Sequence, residues 1–194
     1  MKYIIMADGK GTRWHNHNNI PKHFIEVDGE TLLARTVRLL RTLDKDCDVI
    51  ITSHDPRYEV PGAVRYEPKN NHLEIDRFTS ELICDDVCFL YGDTLYSEDT
   101  IKTIVETPTE DIIFFGNRRS IVAIKVADGK LFAGHVDRVR QLFLDGKIQK
   151  CIGWQVYQSF LGLPFGEKKI ADKYILIEDE TRDFNSPDDL EGRK

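Results

Sequence analysis

The chain has 194 residues, 41% hydrophobic and 31% charged, with a formal net charge of −6. One domain spanning 1–194 with a sizeable core is the natural expectation. The acidic balance argues against a broad nucleic-acid-binding face, which would need a basic surface. No apolar run approaches the length of a transmembrane helix, and the first is stopped at Asp8, too short for a signal-peptide core. The expectation is therefore a cytoplasmic protein with neither a membrane nor a nucleic-acid partner.

Apolar runs alternate with helical patterns along the chain. Tyr3–Ala7 reads as a strand, residues 8–22 as a loop and Phe24–Val27 as a short strand. Thr31–Leu43 carries apolar residues at the spacing of an amphipathic helix. Asp48–Thr52 and Ala63–Tyr66 read as strands, and His72–Ile83 as a helix. Val87–Tyr91 is a strand ending at Gly92-Asp93, followed by a helix over Glu98–Val105. Asp111–Phe115 and Ile121–Val126 are further strands, Val136–Leu144 and Trp154–Phe160 helices, and Tyr174–Ile177 a late strand. Strands alternating with helices predict an α/β fold, a Rossmann-like three-layer sandwich with a mostly parallel central sheet. In such sheets ligands bind beyond the carboxyl ends of the strands. The cysteines, Cys47, Cys84, Cys88 and Cys151, lack the second close pair of a zinc pattern and read as reduced thiols.

Three segments carry the chemistry. The first strand runs into Ala7-Asp8-Gly9-Lys10-Gly11-Thr12-Arg13, with Pro21-Lys22 shortly after. Glycines let backbone N–H groups approach a polyphosphate, and the Arg and Lys can supply positive charge. The loop is too short for a Walker A motif. Trp14 stands where a dinucleotide fingerprint needs its third Gly or Ala, which disfavours an oxidoreductase. The second segment is Tyr91-Gly92-Asp93, an acid at the end of a buried strand. The third is Asp183-Phe184-Asn185-Ser186-Pro187-Asp188-Asp189-Leu190, which alone reads as a turn into a helix with Ser186 as N-cap.

Together, and in this order, the three segments resemble the sugar-nucleotidyltransferase-like family, whose usual loop is Leu-Ala-Ala/Gly-Gly-x-Gly-Thr-Arg. This family includes cytidylyl-, uridylyl- and guanylyltransferases. The resemblance extends from Lys2 to Leu190, and Asp8 departs from the pattern. It implies that Gly9, Gly11 and Thr12 cradle the β- and γ-phosphates of a nucleoside triphosphate. Arg13 would neutralise the departing pyrophosphate, and Lys22 would lie nearer the α-phosphate. Asp93 and Asp183 match positions that hold a divalent metal, here Mg²⁺, on the nucleotide phosphates. The implied reaction joins a nucleoside monophosphate to a phosphorylated sugar, polyol or amino alcohol. CTP is the favoured donor by analogy with compact members, and a guanylyltransferase of the molybdenum-cofactor type is the near rival. A catalytically inert nucleotide-binding module is a further alternative.

Less specific readings surround this core. The base pocket is expected from backbone near Ala7-Asp8 and from Asn70-Asn71, although Asn71 equally reads as a turn and helix cap. Asp8 could meet base or ribose, or point to solvent. Residues 14–19 read as a flap. Lys125 and Trp154 are candidate acceptor-binding residues, with Trp154 and Tyr157 equally readable as one core-facing side of a helix.

Overall fold

The computed structural model describes residues 1–9, 11, 14, 20–166, 168–186 and 189. Thr12, Arg13, most of the expected flap (15–19) and Pro187 lie outside the described residues. The described strands are β1 (Lys2–Met6), β2 (Glu26–Val27), β3 (Glu30–Thr31), β4 (Asp48–Thr52), β5 (Val64–Tyr66), β6 (Val87–Tyr91), β7 (Thr94–Leu95), β8 (Ile112–Gly116), β9 (Ile121–Val126), β10 (Tyr174–Leu176) and β11 (Arg182–Asp183). The α-helices are α1 (Leu32–Leu43), α2 (Glu98–Glu106), α3 (Gly129–Leu144) and α4 (Gly153–Leu161).

Seven strands form one sheet in the order β10-β8-β9-β6-β1-β4-β5. All run parallel except β9, which is antiparallel to both its neighbours. Successive residues of β1 point to opposite faces. Tyr3 and Ile5 join a core with Leu33, Val37 and Leu40 of α1 and with Ile101 and Ile104 of α2. Ile4 and Met6 join the other core, with Phe132 and Val136 of α3 and Val156 of α4. The result is the expected α/β/α sandwich. Phe78, Phe89 and Phe132 anchor the second core, with ring centroids 5.6, 5.3 and 5.4 Å apart. Such aromatic pairs contribute about 1 kcal/mol each beyond their burial.

Helix starts follow capping chemistry. The Thr31 hydroxyl accepts from the Ala34 amide at 3.2 Å, and the Ser97 hydroxyl from the Thr100 amide at 2.9 Å. α3 begins well before the expected Val136, because the Asp128 carboxylate caps the Leu131 amide at 2.8 Å. Gly129 and Gly134, poor helix formers, hide that first part from a periodicity reading. The expected helix over His72–Ile83 is instead a pair of 3₁₀ turns, Glu74–Phe78 and Ser80–Leu82. Thr79 breaks the run with φ +45°. The apolar spacing there reports burial of Ile75 and Phe78, not a continuous helix. No described helix is long and apolar enough to cross a membrane, and the four cysteines are free.

Candidate active site

The carboxyl ends of β1 and β6 meet side by side. The Gly92 amide donates to the Met6 carbonyl at 3.0 Å, tying the second motif to the start of the glycine loop. A Cβ on Gly92 would stand 2.9 Å from that same carbonyl oxygen and 3.2 Å from Ala7 Cβ. Only glycine allows this approach. Gly11 has φ +55°, also a glycine conformation, whereas a Cβ on Gly9 would meet no described atom within 4 Å. Trp14 anchors the loop from below. It is buried with Ile25, Leu32, Leu95 and Phe184, and its Nε1 donates to the Ile20 carbonyl at 2.8 Å.

Lys22 and Asp93, distant in sequence, form an ion pair that is largely shielded from solvent. Burial alone would raise the Asp93 pKa. The Lys22 ammonium, backed by His23 and Arg77, outweighs it and holds the carboxyl below its ordinary value. Asp183 reaches the same place through two short strands that periodicity could not reveal. β11 pairs antiparallel with β7, Asp183 opposite Thr94, and the Phe184 amide donates to the Asp93 carbonyl at 2.8 Å. Asp179 fixes the segment before it, accepting from the Ser97 and Thr100 hydroxyls at 2.5 and 2.8 Å. The Asp183 carboxylate accepts from the Ser120 hydroxyl at 3.1 Å and from the Asn185 amide. Asp189 closes the turn behind, accepting from the Asn185 and Ser186 amides, both at 2.8 Å.

Asp93 and Asp183 both line a cleft of about 900 Å³. Beside it, Asp8, Gly9, Gly11, Lys22 and Asn71 line a smaller cavity of about 250 Å³. Arg77 lines both, so the two spaces share a wall. Asn71 Nδ2 donates to the Asp8 carbonyl at 2.9 Å. Asp8 does not point to open solvent; its side chain is 10% exposed. Its carboxylate is taken up by the His54 amide at 2.8 Å and the His54 ring at 2.7 Å. Ala7 lines a third cavity of about 330 Å³ on the His54 side of the loop. Trp154 both packs in the second core and lines the large cleft; Tyr157 is fully buried in the core.

Lys125 is corrected. It lies opposite Cys88 at the start of β6, the far edge of the sheet from the clefts. Its Nζ donates to the carbonyls of Ile104, Val105 and Thr107 at 3.0, 2.9 and 2.6 Å. Its ammonium satisfies the carbonyls at the end of α2, away from both clefts. Conversely, sequence reading passed over Arg77 and the Arg119-Ser120 pair in the cleft wall, and Lys168 reads from the sequence only as part of a solvated surface charge run. These three segments share no spacing, so only the fold assembles them.

One buried group in this region has a measurable consequence. His23 is 3% exposed and its Nδ1 shares a hydrogen bond of 2.9 Å with the Tyr58 hydroxyl. Burial lowers its pKa to about 4, against the pull of Asp93. The unfolded chain therefore binds a proton here that the folded chain refuses. Stability should be flat above about pH 6.5 and fall as pH drops towards 4, by roughly 3 kcal/mol in total. Urea unfolding of the wild type and of His23→Gln across that range checks this. The variant should lose most of the slope, and equal slopes would contradict the assignment.

No protein-family profile matches this sequence, and no curated protein does. Solved structures do. The CTP:phosphocholine cytidylyltransferase of Streptococcus pneumoniae superposes with a TM-score of 0.59 at 14% identity, over 98% of this chain and 96% of that one. A Bacillus anthracis protein described as a glucose-1-phosphate thymidylyltransferase gives 0.68 at 15% identity, over 99% and 93%. The 4-diphosphocytidyl-2C-methyl-D-erythritol synthase of Anaerococcus prevotii gives 0.61 at 14% identity, over 98% and 92%. The chain has the fold of these nucleotidyltransferases.

Proposed function

We propose that this protein is a nucleotidyltransferase that couples a nucleoside triphosphate to a phosphorylated small molecule and releases pyrophosphate. The observation that carries the reading is the meeting of Lys22, Asp93 and Asp183 at one edge of the sheet, between two adjoining cavities. The smaller cavity, bounded by the glycine loop and Asn71, suits the triphosphate. The larger suits the acceptor. The acceptor's phosphate oxygen attacks the α-phosphorus, and the bond to the β-phosphate oxygen breaks. A phosphate monoester is already anionic near pH 7, so no general base is needed. What the protein supplies is position and charge.

Each residue then has a task. Amides of the glycine loop face the phosphates, and Thr12 and Arg13 would act on the β- and γ-phosphates. Lys22 offers its ammonium near the α-phosphate while Asp93 holds it in place. Among the described residues no group of three or more His, Cys, Asp or Glu could hold a metal alone. Two carboxylates opening onto a cleft still fit Mg²⁺, which keeps water and substrate oxygens in its remaining positions. Asp93 and Asp183 would hold it, and when bound it would neutralise phosphate charge. The described hydrogen-bond partners of the Asp183 carboxylate, Ser120 and Asn185, are neutral.

CTP is the proposed donor. The Asp8 carbonyl accepts from Asn71 Nδ2 with one lone pair, and its second can accept from the cytosine amino group. Uracil presents a carbonyl at that place, leaving polar groups unpaired. Specificity constants for CTP, UTP and GTP, measured with one acceptor, should favour CTP. Equal constants, or a preference for GTP, would overturn the donor assignment and leave the transfer chemistry standing.

A further inference from the structure

The turn between β8 and β9 does more than reverse the chain. Asn117 Oδ1 accepts from the Arg119 and Ser120 amides at 2.8 and 2.9 Å, and the Asn117 amide donates to the Ser120 carbonyl at 3.0 Å. The Tyr174 hydroxyl, from neighbouring β10, meets the carbonyls of Asn117 and Ser120 at 2.8 and 3.2 Å. A Cβ on Gly116 would overlap that hydroxyl and the Ser120 carbonyl, so the irregularity at Phe115-Gly116 needs glycine. The backbone of Ser120 is thereby held firmly, and its side chain is left with one choice. The hydroxyl has a single hydrogen. Asn117 Oδ1 lies 3.4 Å away, but its lone pairs already serve the Arg119 and Ser120 amides. Asp183 Oδ1 lies at 3.1 Å and is charged, so the hydrogen goes there.

An aspartate's terminal torsion is soft, and a lone carboxylate can swing. Here Ser120 Oγ holds Oδ1 and Asn185 Nδ2 holds Oδ2. Asn185 belongs to the same turn as Asp183 and would move with it. Ser120 is anchored elsewhere, at the start of β9, the strand that pairs with β6. β6 is the strand that ends at Asp93. Ser120 therefore sets the direction of the Asp183 carboxylate relative to Asp93, across the cleft that all three line. A carboxylate offers about four lone-pair sites, so these donors aim it and leave sites for a cation. Hydrogen-bond partners of this kind orient metal ligands and tune their affinity.

We propose that Ser120, held by Asn117, is a positioning residue that aims the Asp183 carboxylate at a divalent cation on the donor's phosphates. This rests on the nucleotidyl-transfer reading and adds to it a residue outside the three motifs.

The test reads cation binding apart from turnover. Mn²⁺, which suits carboxylate oxygens as Mg²⁺ does, is titrated by electron paramagnetic resonance into the full chain. A non-hydrolysable analogue of each nucleoside triphosphate is present in turn. Ser120→Ala should weaken the Asp183-dependent site by about tenfold or more. Its melting should stay close to wild type, because it deletes one half-buried hydroxyl. Ser120→Thr keeps the hydroxyl and should bind nearly as wild type does. In Asp183→Ala the site should be weaker still, and adding Ser120→Ala should cost nothing more, the mark of a residue that acts through Asp183. Wild-type affinity in Ser120→Ala, a further loss on top of Asp183→Ala, a Ser120→Thr protein as weak as Ser120→Ala, or no Asp183-dependent binding at all would overturn the inference. Pyrophosphate release is measured in parallel with a panel of phosphorylated acceptors: glucose 1-phosphate, sorbitol 6-phosphate, glycerol 3-phosphate and phosphocholine. Ser120→Ala should need about tenfold more Mg²⁺ for half-maximal release and recover most of its turnover at saturating Mg²⁺. Absence of release with every donor and acceptor, with the Mn²⁺ pattern intact, would defeat the transfer reading alone and leave the positioning role standing.

Discussion

Asp93→Ala and Asp183→Ala should each lower turnover by about 10²-fold or more, the scale expected when a major charge-stabilising element is lost. The two residues reach the same cleft wall by different routes. Asp93 leaves the end of β6, and Asp183 arrives on the two-residue ladder with β7. Removing the Asp183 carboxylate takes one hydrogen bond each from the Ser120 hydroxyl and the Asn185 amide, both of them only half-buried. Circular dichroism and melting of Asp183→Ala should therefore stay close to wild type while steady-state pyrophosphate release collapses. Wild-type turnover in either variant would remove that residue from the proposed site.

Lys22→Ala should do more than slow the reaction. A loop lysine reads from the sequence as removable without cost to the fold. The structure corrects this, because Lys22 neutralises the nearly buried Asp93 carboxylate. Removing one partner strands the other charge in a poorly solvated place, at a cost of about 3 kcal/mol. Lys22→Ala should therefore lose both activity and stability, and the double variant Lys22→Ala/Asp93→Ala should regain most of the stability without activity. Urea unfolding of the four proteins in a double-mutant cycle isolates the pair. A Lys22→Ala protein as stable as wild type would show that the pair contributes nothing to folding. The Asp93 contribution should also depend on pH. Its carboxyl sits below the ordinary value of 3.8, so its stabilisation is present above that value and lost as pH falls through the lower folded one.

Much of the fold was legible because burial writes itself into apolar runs. β4, β6 and β9 occupy the residues expected of them, and α1 differs only in that Thr31 caps it from outside. What escaped had a local cause. β7 and β11 hold two residues each, too few for alternation to register. The 72–83 segment carries helical spacing, yet Asp76 draws the His72 and Leu73 amides onto its own carboxylate, 2.8 Å from each, and Thr79 turns left-handed. Within the site, the glycine loop, Asp93 and Asp183 were legible because each is a compact motif at a strand end or turn. Lys125 was misread because a lysine in an apolar strand looks functional, whereas its ammonium serves the carbonyls of a neighbouring helix. The cleft wall of Arg77, Ser120, Trp154 and Lys168 was illegible as a set, since four distant segments build it. Asp8, unusual for its position, pairs with His54, a partner that no local spacing indicates.

The central claim is nucleotidyl transfer at the edge where Lys22, Asp93 and Asp183 meet. Its most direct test is pyrophosphate release by the full chain, with CTP, UTP, GTP and ATP each offered alongside the panel of phosphorylated acceptors and Mg²⁺. The account predicts release that requires both substrates, is highest with CTP, and is lost in Asp183→Ala while that variant remains folded. No release above background with any donor and acceptor, from protein that is folded, would contradict it.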